Sequence, residues 1–191
     1  PVQRAERVFV LPAPTSTERL LIGYRAPSFC DSDTPALVIA TEVLFGGRSS
    51  RLHRLLCVEE ETAVSVRGSI APFIEPGLYE IWILIREGQP KERALALFDR
   101  EVERLGSEGP TALELEKAIS QLELSFLHSM ETAGGKAEQI GFYETVAGDG
   151  AAVFDRLAAY RDVEAADVRR AVTKYLRPSR RTRVEIVPKA S

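Results

Sequence analysis

The chain has 191 residues, 45% hydrophobic and 28% charged, with a formal net charge of −3. That length supports one well-buried core, and the mixed, slightly acidic charge excludes a nucleic-acid footprint, the basic cluster from Arg177 to Arg183 being too short and interrupted to change this. No apolar run approaches the roughly 18 residues that span a bilayer. The first residues lack a charged-then-apolar signal pattern and a Met, so processing or truncation is expected.

Glu6 to Leu11 alternates, with Val8 and Val10 on one face, and reads as a strand; Pro12, Pro14 and Thr15-Ser16-Thr17 read as a loop. Arg19 to Ala26 is a second strand, stopped by Pro27. Asp33-Thr34-Pro35 predicts a helix start with a capping side chain and Pro in the first turn. The helix from Ala36 to Phe45 is apolar nearly all round, so it is expected to be buried, and Gly46-Gly47 ends it as a left-handed C-cap. Ser49 or Ser50 is placed to cap a short helix running to about Glu60.

Thr62 to Phe73 and Leu78 to Glu87 predict an antiparallel hairpin around the Glu75-Pro76-Gly77 turn. Both faces of the second strand are apolar, with Tyr79, Ile81, Ile83 and Ile85 on one side and Trp82 and Leu84 on the other. This suits a central strand covered by helices. From Pro90 to Leu176 the pattern is helical with breaks. Leu95, Phe98, Val102 and Leu105 form a stripe that stops near Gly106, and Thr111 with Glu114 forms a capping box. Leu115, Ile119, Leu122 and Phe126 share the next face; Gly134-Gly135 breaks that line before a helix from about Lys136 to Ala147. Short helices at Ala151–Tyr160 and Ala165–Leu176 lead to a closing strand, Thr182 to Val187. The predicted fold class is α+β, a single domain over 1–191 with helices packed on a mainly antiparallel sheet.

The chemistry is sparse. His53 and His128 are the only histidines, and neither begins an H-x-x-E-H or H-E-x-x-H metal motif. Two imidazoles on two different helices cannot form a three-histidine zinc site, so no metal ligand and no catalytic residue is assigned. A G-x-S-x-G elbow and a G-x-x-x-x-G-K-[ST] loop are also missing, and Gly46-Gly47-Arg48, crowded by Leu44 and Phe45, is a poor phosphate cradle. Cys57 follows His53 by one turn, the spacing of a nucleophile and its base, but it lies in an apolar run that raises a thiol pKa. Cys30 and Cys57 either bridge or, more simply, remain two buried free thiols.

Three segments carry a resemblance: Gly46-Gly47-Arg48-Ser49-Ser50-Arg51-Leu52 followed by Ala63-Val64-Ser65-Val66; Gly109-Pro110-Thr111 through Ala118; and Val163, Asp167 to Leu176 and Thr182 to Pro188. In this order the chain resembles the C-terminal half-domain of a pitrilysin/mitochondrial-processing-peptidase-like (inverzincin) zinc peptidase of the bacterial small-subunit type. The resemblance implies a LuxS/mitochondrial-processing-peptidase-like metallohydrolase half-domain that forms one wall of a chamber enclosing peptide substrates. Zn2+ is then expected in the N-terminal half-domain of the same protein and no cofactor in this chain, which is inactive alone. Arg48, Arg51, Arg54 and Ser65 become candidate chamber residues. The family's helper Arg and Tyr fall at Cys57 and Val64, which can supply neither a charge nor a phenolic donor; Arg54 is a candidate substitute for the guanidinium. The resemblance therefore implies a homo- or heterodimer in which another chain supplies Arg and Tyr. The alternative is a non-catalytic structural homologue of the same fold, and analogy with bacterial relatives favours periplasmic residence.

Overall fold

Alternation of apolar residues along the second and fourth strands decides where the core lies. In the computed structural model, which describes residues 3–189, five strands form one sheet in the order β1-β5-β2-β4-β3. The strands are β1 Arg7–Ala13, β2 Arg19–Arg25, β3 Ala63–Ile70, β4 Leu78–Ile85 and β5 Arg181–Pro188. Only the β1–β5 pair is parallel; the other pairs are antiparallel. The helices are α1 Thr34–Phe45, α2 Lys91–Glu108, α3 Ala112–Ser129, α4 Ala133–Ala147, α5 Ala152–Arg161 and α6 Ala165–Tyr175, with a π-helical segment at His53–Glu59.

One face of the sheet carries Leu20, Ile22 and Tyr24 of β2 and Tyr79, Ile81, Ile83 and Ile85 of β4, all buried. They share a core with Leu37 and Leu44 of α1, Phe98 and Leu105 of α2, and Val168 and Val172 of α6. Each fully buried Leu, Ile or Phe contributes about 1.5–3 kcal/mol relative to exposure, so this face supplies most of the apolar driving force. A smaller cluster lies under α4 and α5, where Phe29 meets Phe142 and Tyr143 edge-on at 5.3 Å and the Arg156 guanidinium stacks 4.5 Å from the Phe29 ring centroid.

Several local expectations are corrected. The apolar second face of β4 is not covered by helices: Leu78 is exposed and Glu80, Trp82 and Leu84 are half-buried on an open side of the sheet. β1 extends through Pro12 to Ala13 because it is an edge strand bonded only to β5, where a missing N–H costs little. Val8, Phe9, Val10 and Leu11 are all exposed there. Asp33 does not cap α1 with its side chain; its carboxylate instead reaches α6, accepting from Lys174 Nζ at 2.5 Å, Tyr175 Oη at 3.1 Å and Arg170 at 3.2 Å. The helical line breaks at Thr132, whose hydroxyl accepts from Gly135 N–H, so Gly134 and Gly135 lie inside the first turn of α4. α2 continues past Gly106 to Glu108. Cys30 is exposed rather than buried, and it and Cys57 are free thiols.

The Gly46-Gly47 break behaves as the sequence predicts, with one refinement. Gly47, not Gly46, holds the left-handed conformation (φ 77°). Downstream, Gly68 of β3 lets the sheet approach α1: a Cβ there would lie 2.5 Å from the Phe45 ring. The capping box at Thr111 is complete, with Glu114 N–H donating to Thr111 Oγ1 and Thr111 N–H donating to Glu114.

Candidate functional site

The pairing register defines the face that the helices leave open. On β2, Arg19, Leu21, Gly23 and Arg25 alternate with the buried Leu20, Ile22 and Tyr24. Leu21 lies opposite Trp82 on one side and Val184 on the other; Gly23 lies between Glu80 and Thr182. Toward the edges, Phe9 pairs with Val184 and Arg67 with Trp82. The centre of the face is therefore apolar, and the Arg67 guanidinium sits 5.5 Å from the Trp82 ring centroid, a cation–π arrangement. A concavity of about 460 Å³ opens around Leu21 and Gly23, with Arg7, Arg25 and Arg180 among its lining residues.

The sequence-predicted residues fall in different places. Ser65 is exposed on β3, on the same edge of the sheet as Arg67. Val64 is the extra residue of a β-bulge between Ala63 and Ser65, 54% exposed. Cys57 is half-buried near the end of the π-helical segment, and burial raises its thiol pKa, so it is a poor nucleophile at neutral pH. Arg48 is exposed in the loop after α1. Arg54 is exposed in the helical layer, pairs with Glu59 at 2.8 Å and borders a hollow of about 250 Å³ shared with Glu42 and Lys117.

Arg51 does something else. Its guanidinium binds both oxygens of Glu114 at 2.7 Å, Glu101 at 3.2 Å and the Gly109 carbonyl at 3.1 Å, with only 9% of the side chain exposed. It ties the π-helical segment to α2 and to the start of α3, and is unavailable to a substrate. The Arg51 guanidinium, helped by the Thr111 N–H, holds the Glu114 carboxyl down to about 2. Arg181 is a second interior staple, which sequence reasoning missed. It pairs with Asp99 of α2, with Glu6 at 2.6 Å and with the Tyr24 hydroxyl, and burial pushes Tyr24 up to about 12.

The open-face residues also escaped the sequence reading, although a signal was present: Arg19, Leu21, Gly23 and Arg25 share one phase of β2, and charge at both ends of that phase marks a solvent-facing side. Among the described residues, no group of three His, Cys, Asp or Glu side chains is arranged to hold a metal ion. His128 is exposed beside Glu131 on α3 and His53 lies on the π-helical segment with Nδ1 buried and unpartnered, so the donors present do not fit zinc. No helix among the described residues is long and apolar enough to cross a membrane.

Residues 1–122 match the family model described as peptidase M16 inactive domain. The chain belongs to this family, the inactive domain of M16 zinc proteases. It is 28% identical over 168 residues to an uncharacterized zinc protease of Streptomyces coelicolor, covering 88% of this chain and 36% of that protein. It thus spans about a third of the curated relative's length. The fold superposes on a Helicobacter pylori protease with a TM-score of 0.91 at 21% identity, covering 98% of this chain and 46% of that one. A peptidase M16 inactive domain from Pseudomonas fluorescens gives 0.85 at 20% identity, with 98% and 45% covered. The periplasmic protease PqqL of Escherichia coli gives 0.75 at 17% identity, with 97% and 21% covered.

Proposed function

We propose that this chain is the C-terminal, non-metal-binding half of a zinc metalloendopeptidase and forms one wall of a chamber that encloses peptide substrates. The observation that carries the reading is the one-sided sheet: a wall needs a face that its own helices leave open, and here that face is apolar at its centre, with Trp82, Leu21 and Val184 in register. Zinc and the groups that activate water belong to the N-terminal half-domain. Cys57 and Val64 hold the positions of the helper Arg and Tyr, so a second chain in a dimer supplies those groups, and Arg48, Arg54 and Ser65 remain candidates for contact near the β3 edge. Arg51 acts behind them by fixing the segment that carries Arg54. Periplasmic residence fits the likeness to a periplasmic protease.

The test is reconstitution. The purified chain is expected to hold no stoichiometric zinc and to cleave no unfolded peptide; zinc-dependent cleavage is expected when it is combined with the zinc-bearing half and an Arg/Tyr-supplying partner. Hydrolysis by the isolated chain, or full activity of the zinc-bearing half without it, sinks the proposal. A purely structural homologue would carry the same Cys57 and Val64, and would leave reconstituted cleavage at zero.

A further inference from the structure

We infer that the open face is selective for extended peptides in which acidic residues flank an apolar side chain, a reading that rests on the chamber-wall proposal and adds its substrate class. Charge is the first observation. The whole chain has a net charge of −3, yet the side chains phased onto this face include Arg7, Arg19, Arg25 and Arg67 against the single acid Glu80. Among the described residues, Arg7, Arg19 and Arg67 have no carboxylate partner, and nor does Arg180 in the turn leading to β5. Three arginines that the fold encloses or half-encloses, Arg51, Arg181 and Arg183, meet carboxylates, whereas half-buried Arg156 stacks on the Phe29 and Tyr160 rings. Arg7, Arg19, Arg67 and Arg180 are left for something else.

Shape is the second observation. Gly23 stands in the middle of β2 where an L side chain would fill the face; a Cβ there would meet nothing closer than the Thr182 carbonyl at 4.0 Å. The glycine is therefore not required by crowding. It leaves a notch floored by Leu21 and Val184, with Arg7, Arg25 and Arg180 also lining the concavity. An apolar side chain can enter the notch while carboxylates to either side meet the guanidiniums. Arg19 lies four residues from Gly23, about 13 Å at the rise of an extended strand, and Arg7 lies in the row of Gly23 across Thr182, so a peptide seated on the notch can meet both. Guanidiniums suit this role because they bind carboxylates bidentately and are weakly hydrated.

The test uses the intact chain and two unstructured synthetic peptides of equal length and the same apolar centre, one bearing Asp and Glu, the other Asn and Gln. Trp82 is the sole tryptophan, so its emission reports occupancy of the face directly. The acidic peptide is expected to bind about tenfold tighter at low ionic strength, and the preference is expected to shrink at high salt. The double variant Arg7→Gln/Arg180→Gln is expected to lose the preference while still binding the neutral peptide. Gly23→Val, which suits a strand and meets open space, is expected to weaken both peptides. Equal affinity of the unmodified chain for the two peptides overturns the acidic selectivity and leaves the chamber wall standing. Binding of neither peptide, with Trp82 emission shifting only on addition of the other half-domain, assigns the face to an interdomain contact and overturns both readings.

Discussion

The two sides of the sheet use arginine in opposite ways. In and under the helical layer, Arg51 and Arg181 are almost fully enclosed, with 9% and 4% of their side chains exposed, and each guanidinium meets two carboxylates. On the open side, Arg7, Arg19 and Arg67 project beside apolar residues with no carboxylate partner among the described residues. The lesson is that the number of arginines predicts nothing; what matters is which carboxylates the fold delivers to them. An enclosed guanidinium needs every donor answered, whereas an exposed one is hydrated at no cost and can wait for a ligand.

The sharpest way to break this contrast is to remove one enclosed partner. Arg51→Leu leaves Glu101, whose side chain is 7% exposed, and Glu114 without their shared cation, although Arg104 still reaches Glu101 at 3.0 Å. Breaking a buried pair in this way costs about 3–5 kcal/mol. Chemical denaturation of the variant is expected to show a midpoint lowered accordingly. A loss below about 1 kcal/mol would place Arg51 with the surface residues after all.

Acid titration sharpens the same contrast. The Glu114 carboxyl titrates at about 2 in the folded chain, below its ordinary 4.5, so between those values the unfolded chain binds more protons. The stabilisation is fully present above about pH 4.5 and is lost as pH falls toward 2. Asp33, lowered chiefly by its hydrogen bond from Lys174, adds a loss of the same sign. Stability measured from neutral to acid pH is expected to fall more steeply in the unmodified chain than in Arg51→Leu, whose Glu114 returns toward an ordinary value. Parallel curves would dissociate the low pKa from Arg51.

The difference between these arginines was invisible in the sequence for a definite reason. Arg48, Arg51 and Arg54 recur every three residues, which places them along one side of any short helix, but the acids that claim Arg51 arrive from α2 and α3, Glu101 and Glu114, through tertiary packing. The π-helical winding also changes which residues meet, so Arg54 pairs with Glu59, five residues on. Signals contained within a few residues were legible: the Thr111–Glu114 capping box, the Gly47 turn, and the alternation of β2 and β4. Where a local signal competed with another, the stronger chemistry won. Thr132 offers a capping hydroxyl two residues before Gly134, so the helix restarts there. Asp33 could cap α1, but three donors on or beside α6 offer its carboxylate more than one backbone N–H. The open side of β4 was misread because two apolar faces on one strand demand cover without saying whether the cover lies in the same chain.

The smallest expected effect tests the other half of the contrast. Arg67 makes no ion pair among the described residues and lies over Trp82 at the exposed edge of β3, so Arg67→Leu removes at most one exposed cation–π contact, about 0.5–1 kcal/mol, partly offset by the strand preference of an apolar side chain beside Trp82. The denaturation midpoint is expected to move little, while Trp82 emission shifts because its neighbour has changed from charged to apolar. The combination matters more than either part: an optical change without a stability change is what a solvent-facing binding surface predicts. A stability loss comparable to that of Arg51→Leu would mean that the open side is a structural layer in its own right, held together by its cations rather than keeping them for a ligand.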